Sequence, residues 1–418
     1  MTTAATIAAV WTATFLLLLA VGGFLSQAAL RAAGRVPPRP SGQAQGGDAL
    51  LRRAYRAVLW LSCAFYWVSI PLVVLVVLVG GGGLVYLFFR FGHVPIKLVL
   101  LLAVGVFVTL SAIVKSLFVR GEDGDPGLRL DLGGEPRLQT LLNEVAARIG
   151  TRPVDNVYLT PGTDLAVMER GGMLRQLGGQ TERCLILGVG VLDGLELGPF
   201  KAILAHEYGH FSNQDTAGGG FALAVRRSLV TMARHLAMGG AATWYNPAWW
   251  FVNGFHRVFL RISQGASRLQ EVLADRWAAF TYGAAAFERG LRHVIERSVY
   301  FDAHADAALG TAVQTKIPVA NLYEVDPAKL PGRDGLAQQI EAALNAEPSP
   351  YDSHPSPADR FRWVRAIGGG GVAASAEDGQ PVWGLFRDRA GIERLLTRMV
   401  CDSLERQGVE FLRVEEGA

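Results

Sequence analysis

The sequence predicts an α-helical membrane anchor followed by an α+β domain, mostly helical, with a small β-sheet next to a helix that carries His206-Glu207-Tyr208-Gly209-His210. Three observations lead there. The front of the chain holds long apolar runs, the composition turns globular from about Gly121, and short β-rich runs come just before the HExxH helix. At about 150 residues per domain, 418 residues make two or three units. Only 18% of residues are charged, below the usual figure of about 25%, so the apolar excess calls for lipid or an unusually large core. Forty basic against 37 acidic residues leave no basic domain for nucleic acid. Cys63, Cys184 and Cys401 are too few and too far apart for a disulfide framework or a cysteine-built zinc finger.

Residues 6–30, 57–89 and 98–119 are the three runs, each long enough to cross about 30 Å of hydrocarbon as a helix. The second exceeds one span, and Gly80 to Gly83 are expected to break its helix near one interface. The first has no charged n-region and no small-x-small site, so it reads as a retained anchor. Arg31, Arg35, Arg39, Arg52, Arg53 and Arg56 face one acid, Asp48, in the loop after it, which places that loop in the cytoplasm. Three crossings then leave everything after Arg120 on the same side. The divisions read from the sequence are an anchor over 1–120, a globular domain over 121–366, and a Gly-rich loop with a C-terminal helical extension over 367–418.

In the globular part, Leu138, Leu141, Leu142, Val145 and Ile149 recur on one face of a helix. Val157–Thr160, Leu165–Glu169 and Cys184–Gly188 read as strands. A helix opens at Pro199, a good first helical residue. Four residues at about 100° each return His210 to nearly the azimuth of His206, so two imidazoles share one face and can hold one Zn²⁺. Glu207 lies beside them, placed to take a proton from water at the metal.

A third ligand decides between classes. Asn213 and Thr216 stand where a metzincin would have Gly and His, which excludes that pattern. A second helix reading SRLQEVLADRWAA puts Glu271 and Asp275 on one face. Glu271 can complete a His₂Glu site, and Asp275 can accept a hydrogen bond from a ligand imidazole.

With HEYGHFSNQD, SRLQEVLAD and SHPSPADR in that order over roughly residues 135–365, the chain resembles the membrane-bound gluzincins of the HtpX and CAAX prenyl protease type. The resemblance implies a gluzincin metallopeptidase domain with one Zn²⁺ per chain. It also implies an acid beyond the ligands at Asp215, and a His-Pro motif with a downstream arginine at His354, Pro355 and Arg360. On that likeness His354 assists the oxyanion of the tetrahedral intermediate. Thr163–Val167 stands where relatives carry an Asn-Ala-aromatic strand, so Leu165, Ala166 and Val167 would form the edge on which substrate adds as a strand.

Many relatives have two further spans between the zinc motifs. Here Arg226, Arg227, Arg234, Arg257 and Arg261 interrupt 219–263. Val225, Leu229, Met232 and Leu236 make one face of a basic amphipathic helix, followed by the aromatic cluster Trp244, Trp249, Trp250, Phe251 and Phe255. The segment reads as an interface lid rather than as crossings. Asp302, His304 and Asp306 read as a solvated loop, since alternate positions on a helix do not face each other. No P-loop or dinucleotide fingerprint is present, so no nucleotide partner is expected.

The function expected is hydrolysis of polypeptides at or near the inner membrane, with the bilayer as the second partner. A CAAX-type processing protease, or a membrane protein keeping zinc for structure or partner binding without hydrolysis, is the alternative. Glu207 argues against the last, because a structural site needs no base and closes its fourth position.

Overall fold

A computed structural model describes residues 3–33, 46–92, 95–118, 124–170, 181–212, 219–325, 333–347, 349, 352, 354–367 and 375–412. Three helices are long and apolar enough to cross a membrane, α1 (Thr3–Ala33), α2 (Gly47–Arg90) and α3 (Ile96–Leu117). Their outer faces carry exposed Leu75, Val79, Leu87, Leu101 and Phe107, side chains that only lipid would leave content. The expected break at Gly80–Gly83 does not occur, and α2 runs unbroken to Arg90. In hydrocarbon, a backbone that leaves the helix has no water to satisfy its N–H and C=O groups, and this outweighs glycine's weak helix propensity.

After the anchor come β1 (Leu128–Leu130), α4 (Pro136–Ile149), β2 (Asn156–Thr160), β3 (Leu165–Arg170) and β4 (Glu182–Gly188). The sheet order is β1-β2-β4-β3, with β2 and β4 parallel and the outer strands antiparallel to them. β3 therefore lies at an edge. The apolar face of α4 is buried as its periodicity requires, and Gly150 ends the helix in the left-handed region at φ 73°. β1 was not foreseen, as its three residues follow directly on what reads as a linker.

The HExxH helix, α5 (Leu197–Ser212), packs against that sheet and is buried nearly all round. It is followed by α6 (Gly219–Met238), α7 (Pro247–Tyr282), α8 (Ala284–Thr315), α9 (Arg333–Leu344), α10 (Pro357–Ile367) and α11 (Arg389–Arg406). Asp302, His304 and Asp306 lie on α8 and not in a loop. On α11, Leu396 is buried while Leu395 is exposed. The segment from 375 to 406, read as an extension, supplies Val382, Leu385, Phe386 and Leu396 to the same core as α4, α5 and the sheet.

The α6–α7 pair, expected as a lid or a membrane-lying pair, packs on the anchor. Val225, Leu229, Met232 and Leu236 are buried in one cluster with Leu59, Tyr66 and Ile113 of the anchor. The aromatic cluster splits. Phe251 and Phe255 stack in the core against Tyr66 and Phe65, whereas Trp244 and Trp250 are exposed. The reason is geometric: the face opposite the arginines is as apolar as a membrane helix and is buried best by packing on one. Asn246 sets the turn, its side chain capping Ala248 N–H and donating to Thr109 of α3. α7 continues without interruption for 36 residues. Its first half packs on α1 and α2, and its second half crosses α5. At Gly265 any Cβ would lie 2.5 Å from the Tyr55 hydroxyl, so glycine is what lets α2 close on α7.

Candidate metal centre

Main-chain groups position the HExxH helix. Leu197 N–H donates to Gln380 O and Gly198 N–H to Asp378 O, so main-chain groups of the 375–382 segment cap the helix. Lys201, nine-tenths buried, pairs with Asp378 at 2.9 Å. At the other end Gly209 faces α7, where a Cβ would meet the Ala274 Cα at 3.0 Å. That close crossing brings the two histidines to Glu271.

His206 Nε2 and His210 Nε2 are 3.3 Å apart. Glu271 Oε2 is 3.4 Å from His206 Nε2, and Oε1 is 3.5 Å from His210 Nε2. Four ligands at 2.0–2.1 Å from a tetrahedral Zn²⁺ are separated by about 3.3–3.4 Å, so three corners of such a cage are in place. This is the sole group of three or more such ligands within reach of one ion among the described residues. His206 and Glu271 are buried, and His210 is partly open.

Around the cage lies a hydrogen-bonded layer. His206 Nδ1–H donates to Asp275 Oδ1 at 2.9 Å, which leaves the Nε2 lone pair facing the other two ligands. Arg360, also buried, grips Asp275 with Nη2 at 2.6 Å and Nε at 2.9 Å, and its Nη2 lies 3.5 Å from Glu271. Phe287 stacks on His206 and supports the Arg360 guanidinium. Ser356 caps α10, its Oγ accepting from Asp359 N–H, with Pro357 at the first helical position. This start sets His354 with Nδ1 3.0 Å from Glu271 Oε2.

Burial raises the Glu207 pKa, an effect partly offset by the two histidines. Burial alone would also raise Glu271 and Asp275. Hydrogen bonds from His206 and His354 outweigh it at Glu271, and the charge of Arg360 together with His206 outweighs it at Asp275, so both stay ionised. Burial would depress His206, but its bonds to Asp275 and Glu271 hold its pKa above the usual value. Such a site sheds a proton when it takes up a metal.

Glu207 Oε2 accepts the Val167 N–H at 3.2 Å, so the edge strand β3 lies directly beside the motif's carboxylate. The structure thus gathers His206, Glu207, His210, Glu271, Asp275, His354, Arg360 and the Leu165–Val167 edge. Asp215 lies outside the described residues. Sequence reasoning missed Phe287 and Gly209, and it gave Arg268 and Arg276 no role. Both arginines are buried. Arg276 pairs with Asp48 of α2 and Arg268 reaches Ser26 of α1.

Residues 179–367 match the family model of peptidase family M48. No curated protein matches the chain. Among solved structures, the crystal structure of S. mikatae Ste24p matches at 15% identity, covering 72% of this chain and 66% of that one, with a TM-score of 0.27. That superposition is too loose to transfer anything between the two. The HExxH helix, Glu271 with Asp275, and His354 with Arg360 all fall inside the matched stretch, whereas the Leu165–Val167 edge lies before it.

Proposed function

We propose that the chain is an integral membrane zinc endopeptidase, acting on membrane-associated or misfolded polypeptides as HtpX-like enzymes do. The observation that carries this is the three-cornered cage with 3.3–3.5 Å edges and Glu207 beside it. His206, His210 and Glu271 hold the ion. When bound, Zn²⁺ supplies Lewis acidity to the scissile carbonyl and makes water a better nucleophile near neutral pH. Glu207 takes the proton of the attacking water and delivers it to the leaving amine. Asp275 and Arg360 hold His206 in the ligating tautomer. His354 donates to the developing oxyanion.

The outer edge of β3 aligns the substrate backbone, bringing the scissile bond alongside Glu207. The arginine-rich loop between α1 and α2 keeps the catalytic domain in the cytoplasm. Metal analysis and casein cleavage in detergent test the assignment together. Glu207→Gln should keep about one zinc per chain and lose hydrolysis, and Glu271→Ala should lose both. Stoichiometric zinc in Glu271→Ala would remove it from the ligand set.

A further inference from the structure

His354 has a positional problem. Its side chain is 62% exposed and Glu271 is the one ion-pair partner it meets among the described residues, so something else must hold it over the site. On its C-terminal side the Ser356 cap and the Arg360–Asp275 pair fix the start of α10. On its N-terminal side the chain is gripped by Arg268. This residue is 2% exposed and sits on α7 three positions before Glu271. Its Nη1 donates to Asp352 O at 2.7 Å and lies 3.5 Å from Ser349 O, and its Nη2 donates to Ser26 Oγ of α1 at 2.5 Å.

We propose that Arg268 is a positioning residue, fastening the segment that delivers His354 to the metal helix on one side and to membrane helix α1 on the other. Three features support this. Asp352 is two residues from His354, so a fixed carbonyl there confines His354 within about 7 Å of chain. A guanidinium can span two separated acceptors in one plane, which a lysine ammonium cannot do. The third attachment, Ser26, is itself buried, so the clamp needs α1 docked against α7. The anchor then does more than tether the domain: it is one wall of the device that aims His354. Removing α1 would free the clamp even where the zinc ligands stay assembled.

The functional half of this inference rests on reading His354 as the oxyanion donor, and the test is built so that the two can fail separately. In full-length Arg268→Gln in detergent, or in Arg268→Lys if the glutamine variant does not accumulate, zinc content is expected to stay at about one per chain. Amide hydrogen exchange should quicken in the peptide containing Asp352 and His354, and stay unchanged in the peptide containing Glu271 and Asp275. Turnover should fall by about 10²-fold with KM little changed, as expected for a misplaced group. Added to His354→Ala, the substitution should cost no further turnover, because both changes remove the same contribution. Unchanged exchange at Asp352–His354 would overturn the clamp whatever the activity does. Losses that multiply in the double variant would overturn the link to His354, while faster exchange with no effect of His354→Ala would keep the clamp and discard the oxyanion role.

Discussion

Replacing Asp275 by asparagine removes one charge and keeps the shape, so the effect can be worked from contacts. The carboxylate accepts three hydrogen bonds, one from His206 at 2.9 Å and two from Arg360 at 2.6 and 2.9 Å, all inside the protein. An amide offers one oxygen and an NH₂, so one of these donors must face another donor. If His206 loses its partner, its tautomer and ring angle are no longer fixed, and zinc affinity should fall about 10- to 100-fold, or roughly 1.4–2.8 kcal/mol. If Arg360 loses its partner, a buried guanidinium keeps only Glu271, 3.5 Å away, and the metal-free protein should lose about 3 kcal/mol, the lower end for a broken buried pair. The Asp275 pKa lies below its ordinary 3.8 in the folded chain. Its stabilisation is therefore present above that pH and lost as pH falls, and the asparagine variant should lack this acid-side slope. Zinc competition against a chelator and thermal melts of the metal-free protein at several pH values measure both effects. Zinc affinity within about twofold of wild type, together with an unchanged melt, would show that Asp275 does not orient His206.

Gly209→Val should force α5 and α7 apart at Ala274, costing about 1–3 kcal/mol as overpacking and weakening zinc binding, since the ligands sit on opposite sides of that crossing; calorimetry with metal titration reads both, and normal zinc affinity would mean the crossing does not set the cage. Lys201→Met should lose about 1.5–3 kcal/mol through the charge-assisted bond to Asp378. The Asp378 pKa is lowered, so this contribution should be present above pH 3.8 and fade below it, and a denaturant midpoint independent of the substitution at neutral pH would discard the bond's role. Gln407→Cys, at an exposed position among three buried native cysteines, should resist an impermeant maleimide in intact cells and react after lysis; labelling from outside would invert the assigned topology.

What was legible in the sequence was local. The alternation of Leu185 and Leu187, the helical spacing from Leu138 to Ile149, and the i, i+4 pairs His206–His210 and Glu271–Asp275 all carry their structural meaning within a few residues. Glu271 could be matched to the histidines because a two-helix ligand set leaves few candidates. The failures depend on what packs against a segment. Nothing near Arg268 says that its guanidinium will find carbonyls some eighty residues later. Nothing within 219–238 separates a helix lying on lipid from one lying on α3, because both partners reward the same apolar stripe. Gly80–Gly83 would break a helix in water, and only their surroundings reverse that. The 375–382 segment reads as an irregular tail until it is seen capping α5, since a main-chain acceptor leaves no mark in side-chain identity.

The uninterrupted run of α7 has a further consequence. A helix of 36 residues is about 54 Å long and has no hinge, so the anchor and the metal are keyed to one another by whole residues. Deleting a single residue between Gly265 and Glu271 would turn everything beyond it by about 100° and draw it in by about 1.5 Å. Glu271 would then point away from His206 while every side chain of the site remained present. Length changes should therefore be absorbed in the connecting loops and never within this stretch. The height of Glu271 above the anchor is a count, fixed by the number of residues from Tyr55's contact at Gly265 to Glu271.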